Sequence, residues 1–149
     1  MAVDEAAFKQ EVRESVLGLF PTKLVWCPAD KFSIGIPDLH IVIDKFYGIE
    51  AKFCKKLPAR GPSKILQHPF TETQIRFMDR LNRTGVAVGC GLIWMGKDAA
   101  LVVKPEQIDA DGNMSRDAAE ALWSTQGIHR TKSSWDLNKL MEITRGWNG

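Results

Sequence analysis

Cysteine is scarce in this sequence and unpaired in pattern. Cys27, Cys54 and Cys90 are three scattered residues without a Cys-x-x-Cys spacing, which argues against a disulfide framework and a zinc-ligand set and suits buried free thiols. No apolar run approaches bilayer-spanning length, and there is no phosphate-binding glycine loop, internal repeat or helix-turn-helix pattern. Membrane insertion, nucleoside triphosphate use and sequence-specific groove reading are therefore unsupported. Net charge is small too: 20 basic and 18 acidic side chains leave +2, so any nucleic-acid partner must be argued from how the charge is distributed. The acidic start at Asp4 and Glu5 is unlike a signal peptide, and free thiols suit a reducing compartment, so the expected location is intracellular and cytoplasmic.

What is present suits one globular domain. A chain of 149 residues with 44% hydrophobic and 26% charged residues can bury a core of its own. A single domain over 1–149 is expected, with its core at about 4–104 and a C-terminal helical extension at about 105–149.

The informative stretch begins at Gly35-Ile36-Pro37-Asp38. Leu39 to Ile43 is a β-branched apolar run, Asp44 and Lys45 are turn residues, and Gly48 to Phe53 alternates apolar with charged residues, which predicts an antiparallel hairpin. A turn centred near residue 44 sets Asp38 opposite Glu50. Strand alternation then puts Glu50 and Lys52 on one face, and Ile49, Ala51 and Phe53 on the other. Two carboxylates side by side in a half-buried sheet repel unless a cation neutralises them. Mg²⁺, which accepts one or two carboxylates and keeps several waters, fits that demand, with Mn²⁺ as a substitute. Lys52 is placed to hold an attacking water or to screen charge on phosphate oxygens. An exposed Glu/Lys pair without catalytic meaning has the same periodicity.

Ile36-Pro37-Asp38 followed by Glu50-Ala51-Lys52 after a hydrophobic hairpin resembles the signature of the PD-(D/E)XK nuclease superfamily. Over roughly residues 5 to 94 the chain is most similar to its small phage and archaeal Holliday-junction-resolvase-like and VRR-NUC-type members. The resemblance implies a restriction-endonuclease-like α/β fold, with an α-β-β-β-α-β core, a mixed central sheet flanked by helices, and C-terminal helices. It also implies that Asp38, Glu50 and the Ala51 carbonyl bind metal and that Lys52 serves the nucleophile. Such nucleases carry a further acid on the first helix, which here is Glu5 or Glu11, Glu5 being preferred because Glu5-Ala6-Ala7-Phe8 matches the helix start of the phage relatives.

Asp4 suits the cap of a helix to about Leu19, with Phe8, Val12, Ser15 and Val16 along one side. Residues 28–35 form a loop toward Asp38 that brings Lys31 and Ser33 to the mouth of the site. From Ala51 to Thr71 there are five basic residues, namely Lys52, Lys55, Lys56, Arg60 and Lys64, together with His68, and no acid. The prolines of this stretch predict a long mobile loop suited to DNA backbone contacts. Thr71-Glu72-Thr73-Gln74 predicts a capping box, followed by a helix closing at Gly85 with a stripe of Arg76, Arg80 and Arg83. That stripe can contact DNA or pair with Glu72 and Asp79. Gln74 matches a glutamine near the active site of the relatives, and a capping role accounts for it as well. Strands are predicted at 86–94 and 99–103, helices at 116–126 and from Ser134 or Asp136 to Arg145, and a small basic loop at His129, Arg130 and Lys132.

The function expected is a Mg²⁺-dependent deoxyribonuclease selective for DNA structure. A homodimeric resolvase of branched DNA comes first, and a VRR-NUC-type flap, nicking or single-strand nuclease second. A noncatalytic DNA-binding or phage-assembly module is the alternative from another class.

Overall fold

A computed structural model describes residues 4–19, 24–26, 39–132 and 134–147. Asp4 caps α1 (Glu5–Leu19) by accepting the Ala7 N–H at 2.7 Å. Strands β1 (Leu24–Trp26), β2 (Leu39–Val42) and β3 (Phe46–Phe53) follow, then α2 (Glu72–Arg83), β4 (Ala87–Gly96), β5 (Ala99–Val103), α3 (Arg116–Gln126), β6 (Gly127–Thr131), β7 (Ser134–Trp135) and α4 (Leu137–Thr144). The strands lie in the sheet in chain order. Every described pairing is antiparallel except β3 with β4, whose parallel alignment requires a crossover, here through α2. The result is a mixed sheet flanked by helices, with the expected α-β-β-β-α-β core order.

The sheet is covered on both faces, so β3 and β4 are buried on both sides, as central strands of a parallel pair are. On one face α1 packs Phe8, Val12 and Val16 against Ile49, Ala51, Leu92 and Trp94. On the other, Met78 of α2, Ala119 of α3 and the segment 54–70 cover Ile93, Leu101 and Val103. Pairing of Leu39 with Ile49 and of His40 with Gly48 centres the β2–β3 turn on residue 44, the register predicted from the sequence, although β3 starts at Phe46, two residues earlier than predicted.

Helix α2 lies very close to β4. A Cβ at Gly89 would stand 2.3 Å from the Met78 carbonyl oxygen, and the Asn82 side chain donates to the Gly89 carbonyl at 2.9 Å and accepts its N–H at 2.8 Å. Gly89→Ala must therefore push helix and strand apart. A loss of about 3 kcal/mol is expected from overpacking against backbone, measured as a lower urea midpoint.

Cys54 and Cys90 are buried free thiols, and burial pushes the Cys90 thiol up to about 12. Cys27 lies outside the described residues. Among the described residues no helix is long and apolar enough to cross a membrane.

Two sequence expectations need correction. The segment 105–149 is not only helical, because β6 and β7 extend the sheet. Nor do residues 129–132 form a basic loop: His129 and Arg130 belong to β6. Arg130 is 7% exposed and lies between the Trp94 and Trp135 rings. It donates to both Glu11 carboxylate oxygens at 2.7 and 3.0 Å, to Asp98 at 2.9 Å and to the Lys97 carbonyl at 2.9 Å. Trp135 is fully buried, and Asp136 rather than Ser134 caps α4 through the Lys139 N–H.

Candidate active site

Alternation along β3 puts Glu50 and Lys52 on the α2 face of the sheet, paired in register with Gly91 and Ile93 of β4. Both are buried, at 2% and 8% exposure, which is rare for charged residues and calls for specific partners. For Glu50 one partner is Gln74, whose Nε2 donates to Oε1 at 2.8 Å. The same Gln74 accepts the Thr71 N–H on its Oε1 at 2.9 Å, and the Thr71 hydroxyl accepts the Gln74 N–H at 3.1 Å. Capping and site roles, which compete in the sequence, thus coincide in one side chain. The cap fixes where the amide points, and its donor orients the carboxylate.

Lys52 is held differently. Its Nζ lies 5.4 Å from the centroid of the Phe70 ring, and none of the ion pairs among the described residues includes it. The Phe70 ring has room only because residue 91 is glycine, where a Cβ would meet the ring at 2.6 Å. Phe70 was not anticipated as a site residue. Its signal in the sequence is an apolar residue directly before a capping box, the position that packs back on the first helical turn.

Lys52 lines a cleft of about 270 Å³ together with Glu5, Asp4, Lys55, Gln67 and His68. The N-terminal turn of α1 therefore delivers Glu5 to the same cleft as Lys52, while Glu11, less than two turns on, is committed to Arg130. Cys54 donates its N–H to the Trp94 carbonyl at 2.9 Å. Polar backbone groups alternate along a strand, so those of Ala51 face away from β4, toward the side where described pairing with β2 ends at Leu39 and Ile49.

The DNA-contact candidates disperse. Lys55 borders the cleft, and Lys55, Lys56 and Arg60 are exposed. Lys64 pairs with Asp109 and Arg76 with Glu72, and Arg83 pairs with Asp79 at 2.8 Å, so the helix stripe is largely satisfied within the protein. Arg80 is exposed on α2 and does not line the cleft. Asp38, Lys31 and Ser33 lie outside the described residues. Among the described residues no three acids, histidines or cysteines converge as a metal centre. Glu50, Glu5 and the Ala51 carbonyl are nevertheless hard oxygen donors of the kind Mg²⁺ takes, and a carboxylate as buried as Glu50 is stabilised by a cation. In their chemistry these groups would suit a divalent metal.

Gln74→Ala removes the donor to Glu50 together with the cap. The expected result is a 10- to 100-fold loss of metal affinity or of rate, of the order found when the partner that orients a metal ligand is removed, with about 1 kcal/mol of stability lost with the cap. Rate as a function of Mn²⁺ concentration, alongside a melting curve, measures both.

No family model and no curated protein matches the chain. Among solved structures it is similar to Hjc, a Holliday junction resolvase from the archaeal hyperthermophile Archaeoglobus fulgidus, with 11% identity and a TM-score of 0.49 over 73% of this chain and 88% of that one.

Proposed function

We propose that this chain is a divalent-metal-dependent deoxyribonuclease that hydrolyses phosphodiester bonds in branched DNA. The observation that carries the reading is the cleft itself. Lys52, which lines it, is a buried ammonium with no ion-pair partner among the described residues, and two residues back along the same strand face stands the buried Glu50 carboxylate, oriented by Gln74. Burying Lys52 without a direct ion pair costs stability and leaves its charge available for an anion entering the cleft.

In this reading Glu50, Glu5 and the Ala51 carbonyl hold the metal together with Asp38. The described register supports including Asp38, because it is bonded to Leu39, the partner of Ile49 beside Glu50. A bound Mg²⁺ would polarise the phosphate and lower the pKa of water. Lys52 holds a phosphate oxygen or the attacking water and offsets the negative charge that grows on the phosphorane. Gln74 keeps Glu50 in one orientation throughout.

Metal binding has a readout that does not depend on cleavage. Mg²⁺ or Mn²⁺ at about 100 times its Kd is expected to stabilise the native protein by about 2.7 kcal/mol, and Glu50→Ala should lose that increment. A wild-type melting temperature indifferent to both ions contradicts the metal assignment and favours the noncatalytic reading.

A further inference from the structure

The cleft at Lys52 continues past His68. A larger hollow of about 590 Å³ adjoins it, and Lys55 and Gln67 are walls of both. Together the two form one groove between the limbs of the segment 54–70, with Lys55 and Lys56 on one limb and Lys64 to His68 on the other. Its apolar floor is Ile65 and Leu66, which are 4% and 6% exposed.

This groove is already built. Asn113, itself 6% exposed, donates to the Leu66 carbonyl at 2.8 Å and accepts the Leu66 N–H at 2.9 Å. The Ile65 N–H donates to Met114 at 3.0 Å, and Arg116 donates to the Pro58 and Ala59 carbonyls at 2.8 and 3.1 Å. The segment expected to be a mobile loop is thus tied to residues 113–116, and a groove fixed before binding spends less ordering entropy on its ligand. Its charge is graded. Asp4 and Glu5 stand at the Lys52 end, whereas the outer hollow is lined by three lysines and no acid, although Lys64 also reaches Asp109.

We infer that this groove carries the backbone of a single DNA strand to the Lys52 cleft, so that the substrate has a single-stranded arm beside the cut, as in a flap or splayed branch. Only the position of the cut rests on the nuclease reading. An open hollow of this size has room for one sugar-phosphate chain along its floor. A duplex presents two backbones separated by grooves about 6 and 12 Å wide, so it would sit across the groove instead of entering it. Lysines along a groove with an exposed ring, His68, at the cleft suit a strand whose bases are unpaired.

Binding is measured on the full chain in EDTA, where no metal-dependent cleavage occurs, by anisotropy of a labelled oligothymidylate and of a hairpin duplex with the same number of nucleotides, across a salt series. The single strand is expected to bind more tightly. Lys55→Gln/Lys56→Gln, both at exposed positions, should weaken it about tenfold and reduce its salt slope by about 1.4, about 0.7 for each lost phosphate contact. Lys139→Gln on α4, which packs on the opposite face of the sheet, should leave both unchanged. Duplex binding as tight as single-strand binding, or single-strand binding unmoved by the double substitution, overturns the inference. Because cleavage is not read, that result leaves the nuclease reading standing, and an inactive enzyme that still prefers the single strand leaves the groove standing.

Discussion

Replacing Lys52 with methionine is expected to lower the cleavage rate by at least about 10²- to 10³-fold, the usual cost of removing one group that stabilises transition-state charge, while the melting temperature stays level or rises. The side chain is 8% exposed, with its ammonium over the Phe70 ring and in no ion pair among the described residues. Methionine has nearly the same length, fills the same space and removes a charge that is costly to bury. Opposite changes in activity and stability mark a residue kept for chemistry. A lysine kept for packing or pairing would behave otherwise, losing stability on substitution and leaving kcat near its original value. Cleavage and a thermal melt on the same preparation separate the two.

Glu11→Ala is expected to cost about 3 kcal/mol, because it leaves Arg130 in the interior without its main partner. In a chain of this length that lowers the melting temperature by about 10 °C. Glu11 and Arg130 side chains are only 12% and 5% exposed. Asp98, the remaining acid, is 67% exposed, so it compensates little. The double variant Glu11→Leu/Arg130→Met should recover much of the loss, since a buried ion pair replaced by well-packed apolar residues is often neutral. Glu5→Ala should show the reverse pattern, with a melting temperature close to wild type and a reduced rate. Calorimetry and initial rates on the three proteins distinguish an acid that anchors α1 from one that faces the cleft. A rate loss without destabilisation in Glu11→Ala would reverse the assignment of the two acids.

Local signals made most of the core legible in the sequence. Period-two alternation and a polar turn gave the hairpin register to the residue, and a capping box gave the start of α2. The burial of Glu50 and Lys52 was less legible. Alternation sorts residues to faces but does not say that 54–70 folds back to cover one of them, which depends on Asn113 gripping Leu66 from 47 residues away. The burial of Arg130 is hidden in the sequence for a related reason. Next to His129 and Lys132 it looks like part of a solvated cluster, and only tertiary contact with Glu11, 119 residues earlier, turns it into a buried ion pair. The arginine stripe of α2 was periodic as predicted, yet Glu72 and Asp79 one turn upstream neutralise two of its members, an outcome that i, i+4 spacing alone allows.

Whether Glu50 and Lys52 form a metal-dependent phosphodiesterase site is decided by one cleavage panel. A labelled four-way junction, flap, nicked duplex, linear duplex and single strand are each incubated with Mg²⁺ and with EDTA, using wild type and Lys52→Met. Cuts are expected that require the metal, fall in branched members of the panel and vanish in Lys52→Met while that variant still melts cooperatively. No cleavage of any member with Mg²⁺ or Mn²⁺, or cleavage that survives in Lys52→Met, would contradict that assignment.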